Sequence, residues 1–487
     1  MSSKDDKILH DEDDGTIEDI NIVPTADLPT RLADSVAYGP GGIRGVIQSP
    51  FVFGAAFLAS LGGFSFGYDQ GVISIINVMT QFHDVFPRAA SGFGKGFKTG
   101  MLEFGAFLGC FFMPWMADKI SRKKALAVVV VIFNIGAILQ TAAVNYEMLV
   151  LGRTVGGIGV GTPALELFWF SSISICAGVV VSFYITYGTR HLEGDIAFRL
   201  PLGLQMVSAT IVGVGILFFP YSPIWLALVG CTEDALSNLS RMRRLPPDES
   251  RVLTEYQGII AEAQFQKTVL ERRHPGKQGF KLEVLTWLDL FSPKTWRRTA
   301  VGCGILFFQQ FSGINAFIYY APTLFQSLGQ SEEMSLTMSG IFNVLQLVAV
   351  GVCFFIIDRV GRRPLAIFGG VGGAVSWGIM AILVGIFSHD WKANAAAGWG
   401  CVAMAIIFIL CYGVSYSPLG WALPSEVFPS ATRSKGVALS TATCWICNFI
   451  VAEMDQVFGD NSGQEEKEIL KATAAQARSA GNPIYHV

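Results

Sequence analysis

Asp69 and Arg153 are ionisable residues set in otherwise apolar runs, and a later run carries Gln309, Gln310, Asn315 and Tyr320 in close succession. A charge at membrane depth is expensive and is kept for function or in a pair. Each of the first two is therefore the other's expected partner, and neutralising Asp69 would release Arg153. A purely structural ion pair is the alternative. In the later run the amides both donate and accept hydrogen bonds, and the tyrosine adds aromatic surface. Gln309, Gly313, Ala316 and Tyr320 follow helical spacing along one face, whereas Gln310 and Asn315 converge only if the helix loosens near Ser312 and Gly313. The competing reading is that these amides bridge neighbouring helices. Phosphate-binding glycine loops, metal-binding histidine clusters and nucleophile-base pairs are not evident. No cofactor, metal or catalytic residue is expected, and the chain does not read as an enzyme.

The elements that must position these residues are apolar helices. Of 487 residues, 51% are hydrophobic and 15% charged, and the mean hydropathy is +0.46. Such a composition belongs to a polytopic membrane protein. Apolar runs long enough to cross a core of about 30 Å recur between residues 51 and 451. A shorter run, 148–162, would rise only about 22 Å as a helix, and it leaves Glu166 at a costly depth. Residues 1–50 are acidic and proline-punctuated, the composition of a disordered tail. Basic clusters at Lys119–Lys124, at Arg241–Arg244 and Arg272–Arg273, and at Arg359–Arg363 face the cytoplasm by the positive-inside rule. Arg88, Lys95 and Lys98 then fall in an outside loop. Cys444 and Cys447 form a lone CxxC, read as small apolar helix residues.

The chain repeats itself. ADKISRKKAL at Ala117 aligns with IDRVGRRPLA at Ile357, an offset of 240 residues that matches Asp118 to Asp358 and Arg122 and Lys123 to Arg362 and Arg363. Tandem helical bundles follow, at 51–230 and 299–452, joined by a charged cytoplasmic linker at 231–298 and followed by a polar tail at 453–487. Parallel repeats are an architecture of secondary transporters with a site at mid-bilayer. The second bundle has PSEVFPSATRSKG after its fourth span, with Glu426 and Arg433 placed to pair with the neighbouring basic loop. The first bundle has no counterpart after Thr162, and one span fewer ends the second.

The chain resembles the sugar porters of the major facilitator superfamily, and in particular fungal monosaccharide (hexose or pentose) transporters. The matches are GYDQGVIS at Gly67, DKISRKK at Asp118, GRTVGGIGVG at Gly152, YITYGTRH at Tyr184, QQFSGINAFIYYAP at Gln309, DRVGRR at Asp358 and GWALPSEVFPSATRSKG at Gly420. The resemblance implies an all-α fold of two six-helix bundles, here with about 11 spans, a shortened span 4 and no span 12. It implies sugar:proton symport by alternating access, with Asp69 and Arg153 as the protonation switch. It adds Asn343, Trp421 and Trp445 as sugar contacts, with Asn448 a weaker one, and puts Ser172 where a longer polar residue often helps hold sugar. Asp118, Arg122, Lys123, Asp358, Arg362, Arg363, Glu426 and Arg433 are the implied cytoplasmic gate. The expected partners are a monosaccharide, a proton and the lipid bilayer of a plasma membrane, with no nucleic acid and no obligate protein partner. An uncoupled facilitator and a truncated, non-transporting homologue or sensor are the alternatives.

Overall fold

A computed structural model of the chain describes residues 50–161, 168–391 and 393–454, which form helices and connecting turns. The N-terminal tail, Glu166 with its neighbours, and the C-terminal tail beyond residue 454 lie outside the described residues. The first half contains α1 (Pro50–Ile76), α2 (Gly92–Ile120), α3 (Arg122–Thr141), α4 (Tyr146–Val160), α5 (Phe168–Thr189) and α6 (Ile196–Leu217). Four helices link the halves: α7 (Pro223–Val229), α8 (Thr232–Arg243), α9 (Ser250–Arg273) and α10 (Gly279–Leu288). The second half contains α11 (Trp296–Gln310), α12 (Ile314–Ser327), α13 (Glu332–Val360), α14 (Arg362–Phe387), α15 (Ala395–Val414), α16 (Tyr416–Val427) and α17 (Arg433–Met454).

Among the described residues, nine helical stretches are long and apolar enough to cross a membrane. α1 and the 15-residue α4 pack among them. The outer face of α14 shows what surrounds the bundle. Ile367, Val371, Val375, Ile379, Ile382 and Ile386 recur every three or four residues and are all exposed. Water would penalise such a stripe, and hydrocarbon solvates it.

Close approach of helices inside the first half depends on paired glycines. A Cβ on Gly67 would lie 1.9 Å from the Ile175 carbonyl oxygen, and one on Gly178 would lie 2.3 Å from that of Phe64, so α1 and α5 touch backbone to backbone. Gly105 and Gly157 do the same for α2 and α4. Small residues at such crossings replace the hydrophobic drive that lipid removes.

The repeat extends to backbone geometry. Ser121 ends α2 with φ 85° and ψ 142°, and Gly361, 240 residues on, ends α13 with φ 88° and ψ 163°. Glycine adopts that conformation freely, but a serine is strained there by about 1–3 kcal/mol, and the buried Ser121 hydroxyl has no hydrogen-bond partner among the described residues. Ser121→Gly is expected to stabilise the protein by about 1 kcal/mol after the entropic cost of glycine. Thermal unfolding in detergent should show the midpoint rising; an unchanged or lower midpoint would count against strain at this turn.

Lys98 departs from its expected place in a loop. The Ser91 side chain caps α2 by accepting from Gly94 N at 3.1 Å, so the helix starts ahead of its apolar run and carries Lys98 inside, fully buried. Its ammonium sits 4.2 Å from the centroid of the Phe82 ring.

Candidate functional site

α11 and α12 are two pieces of one sequence span. The helix breaks at Phe311–Gly313, where Gly313 takes φ 87°. Carbonyls freed at depth need internal donors: Ser312 Oγ donates to Gln309 O at 2.7 Å, and Trp377 Nε1 donates to Ser312 O at 2.9 Å. The break turns Gln310 and Asn315 toward each other, and the Asn315 amide donates to Gln310 Oε1. Gln310 Nε2 reaches across to Cys444 Sγ on α17 at 2.8 Å. A second break, at Ser415 between α15 and α16, places the Tyr416 carbonyl where Gln309 Nε2 donates to it at 2.9 Å.

These groups line a cavity of about 60 Å³ between the two halves. Gln70, Gln309, Gln310, Asn315, Gln346 and Asn448 supply amides, and Tyr412, Trp421 and Trp445 supply aromatic surface. The rings of Phe66 and Trp445, one from each half, meet edge to face at 5.1 Å. The cavity shares Phe66, Ser172, Ile175, Trp421 and Trp445 with a largely apolar passage of about 410 Å³, which runs past Ala117, Asp118, Arg122 and Ser434 toward the linker face.

Gln70 and Asn448, which line the cavity but not the passage, are held by Tyr319. Its hydroxyl accepts from Gln70 Nε2 at 3.1 Å and from Asn448 Nδ2 at 3.3 Å, and it donates to the Glu103 carboxylate. Asn77 Nδ2 donates to the Tyr319 carbonyl at 3.4 Å. The knot ties α1 and α2 of the first half to α12 and α17 of the second.

Asp69 and Arg153 stand 3.6 Å apart and are both fully buried. Arg153 Nη1 also donates to Gln140 Oε1 at 3.5 Å, while neither Asp69 oxygen accepts a hydrogen bond among the described residues. An ion pair out of water is held by its partner alone, so losing one charge unbalances the other.

Of the residues singled out in the sequence, Gln309, Gln310, Asn315, Trp421, Trp445, Asn448 and Ser172 line the cavity. Tyr320 and Asn343 are buried but stand outside its lining. The chain kinks at Tyr320, with φ −129°, and this turns its hydroxyl to the Ala452 carbonyl at 3.3 Å. Asn343 lies one helical turn from Gln346, which takes the lining position. Gln70, Gln346, Tyr412, Ser417 and Glu103 were not anticipated as site residues, and Glu103 sits inside α2.

The gate residues divide. Arg362 pairs with Asp358 at 3.1 Å and with Glu426 at 3.0 Å, both within the second half. Lys123 caps the end of α6 by donating to the carbonyls of Leu217 and Phe219 at 2.8 and 2.7 Å. Arg433 Nε donates to Phe428 O at 3.4 Å. It also lies near Glu262 of α9, whose carboxyl is held below its usual range by hydrogen bonds from Gln266 and Ser430 and by the Arg433 charge. Trp225 donates to the Asp118 carbonyl at 3.1 Å, Arg122 lines the passage, and Arg363 is exposed.

Comparison with known proteins places this geometry. The family model described as "Sugar (and other) transporter" matches residues 55–165 and 166–473, in two stretches that abut just after α4. A high-affinity glucose transporter of Kluyveromyces lactis is 30% identical over 439 residues, covering 82% of this chain and 76% of the relative. A major facilitator superfamily transporter of Aspergillus fumigatus is 29% identical over 441 residues, covering 83% and 78%. Among solved structures, the proton:xylose symporter XylE of E. coli, bound to 6-bromo-6-deoxy-D-glucose, superposes with a TM-score of 0.70 at 23% identity, covering 85% of this chain and 90% of that one.

Proposed function

The chain belongs to the sugar transporter family of the major facilitator superfamily, whose members carry sugar across a membrane and are not enzymes, and from that premise we propose that it is a monosaccharide:proton symporter working by alternating access. The observation that carries the reading is the buried Asp69–Arg153 pair beside an amide- and tryptophan-lined cavity between the two halves. A sugar ring offers hydroxyls around its edge and a weakly polar face. Amides that donate and accept suit the first, and indole surface suits the second.

In this reading the linker face is cytoplasmic, because the basic residues gather there, and the membrane is the plasma membrane. The cavity is open toward the cytoplasm through the apolar passage and closed outward by the Tyr319 knot. Protonation of Asp69 would end its attraction to Arg153 and leave that guanidinium to Gln140, altering how α1 and α4 hold together. A ligand or proton shifts a conformational equilibrium only by interacting differently with the two states, and the ion pair supplies such a difference. The proposed latch for the outward-facing state is the set of gate residues at the linker face, in which the Arg362 network, here held within the second half, would pair across to the first; such exposed pairs are individually weak.

Uptake of labelled hexose by this chain, in cells lacking their own hexose carriers, tests the reading. Symport predicts accumulation above the external concentration, collapsing when a protonophore is added. Uptake that stops at equilibrium and ignores the protonophore would mark an uncoupled facilitator.

Gln309 offers a local check on the site. A Cβ added to Gly420 would lie 2.4 Å from its Oε1 and 2.5 Å from its Nε2, so Gly420→Ala must push the amide out of the cavity wall. The apparent affinity for sugar is expected to fall by about fivefold, the worth of one neutral hydrogen bond, with the maximal rate little changed. An unaltered KM for uptake would remove Gln309 from the site.

A further inference from the structure

Glu103 is fully buried in the middle of α2, and neither the cavity nor the Asp69–Arg153 pair needs it. Its position in the Tyr319 knot is nevertheless specific. The Tyr319 oxygen takes donors from Gln70 and Asn448, so its single proton is committed to the Glu103 carboxylate. The second oxygen, Oε2, has no hydrogen-bond partner among the described residues. The other charged or titratable groups facing it are Asp69 from α1, Arg153 from α4 and Cys444 from α17; Asn448 approaches as a neutral donor.

From this geometry we infer that Glu103 is a second proton-binding residue, which positions Tyr319 and so makes the outward closure of the cavity depend on protonation. The inference deepens the symport reading and rests on it for which face is external. An ionised carboxylate accepts a charge-assisted bond about twice as strong as a neutral one. Ionised, Glu103 clamps Tyr319 across the two halves and keeps the outer side shut. With a proton on the carboxyl the bond drops to neutral strength, and the contact between α2 and α12 that must part for outward opening is weakened. External acid thereby favours the outward-open state, in which sugar and proton are loaded. Asp69 and Glu103 have separate tasks: the first sets the α1–α4 contact, the second the contact between halves.

The test reads outward opening without relying on uptake. Cys444 lines the cavity, and a membrane-impermeant thiol reagent applied outside reaches it only when the outer side opens; the Cys444→Ala protein measures labelling of the other cysteines, which is subtracted. In the Asp69→Asn protein, which cancels titration of Asp69, labelling is expected to rise about fivefold to tenfold as external pH is lowered, the ratio of a charge-assisted to a neutral bond. Acid lowers thiolate reactivity, so each rate is divided by that of the same reagent with a free thiol at the same pH, and every labelling rate here is that ratio. Glu103→Gln, which mimics the protonated carboxyl, should label at the fast rate at every pH. Tyr319→Phe, which removes the donor, should do the same, and the double variant should add nothing further. An acid response kept by Glu103→Gln or by Tyr319→Phe, or absent from the parent protein, overturns the proposal. Protonophore-insensitive uptake would instead overturn symport, and labelling distinguishes the two failures.

Discussion

Asp69→Asn is expected to abolish accumulation of sugar against a gradient while exchange of internal for external sugar continues. The carboxylate is fully buried, takes no hydrogen bond among the described residues and stands 3.6 Å from Arg153. Asparagine matches its shape but cannot ionise, so α1 and α4 remain permanently in the arrangement that the protonated carboxyl produces. Exchange needs only that the loaded carrier reorient, and it survives. Net uptake needs the carrier to return empty after giving up its proton, and it does not. A coupling free energy of the usual size for linked sites corresponds to about a fivefold to 150-fold effect, so steady-state accumulation should drop at least about fivefold. Counterflow and net uptake measured on the same vesicles check this. Equal loss of both would mean that Asp69 serves the fold or the sugar site; loss of neither would leave the pair a structural one.

Gln310→Ala is expected to raise the KM for sugar by about tenfold to a hundredfold with a smaller change in maximal rate, since a site built to hydrogen-bond a hydroxyl loses most when one polar partner is removed. The Gln310 amide is held from both ends, with Asn315 donating to its oxygen and its nitrogen reaching the Cys444 sulfur. A sulfur is a weak acceptor, and a sugar hydroxyl would replace it at little cost. Alanine also leaves the Asn315 donor unpaired in a buried site. Initial uptake rates across a range of sugar concentrations measure the effect. A normal KM would move the sugar site away from the break between α11 and α12.

Much of this was legible in the sequence because its cause is local. Membrane character follows from composition, and the exposed stripe on α14 is its direct consequence. The 240-residue repeat is visible in residue types, and the positive φ shared by Ser121 and Gly361 shows that the backbone repeats too. A break near Ser312 and Gly313 follows from the residue that tolerates it. Asp69 and Arg153 identify each other because two opposite charges in apolar runs have few other ways to be satisfied.

What the sequence hid depends on how helices rotate against one another. Asn343 and Gln346 lie on neighbouring positions of one helical face, and a small rotation decides which of them enters the cavity. Tyr319 and Tyr320 are adjacent, and the kink at Tyr320 sends one hydroxyl across to Glu103 and the other to a backbone carbonyl. Glu103 carried no mark of a role in the sequence; the Ser91 cap starts α2 ahead of the lysines and carries Glu103 to mid-helix. Lys123 and Arg433, read as members of a charged latch, donate to backbone carbonyls at helix ends, where a basic side chain is also favoured.

In the proposed symport a hydroxyl-binding cavity between two halves is tied to protonation of a buried acid. Its most direct test is the proton itself. When sugar is added to energy-depleted cells expressing this chain in weakly buffered medium, the medium is expected to turn alkaline at once, to an extent that saturates with sugar and is lost in Asp69→Asn. Sugar entry at the normal rate with no change in external pH would contradict it.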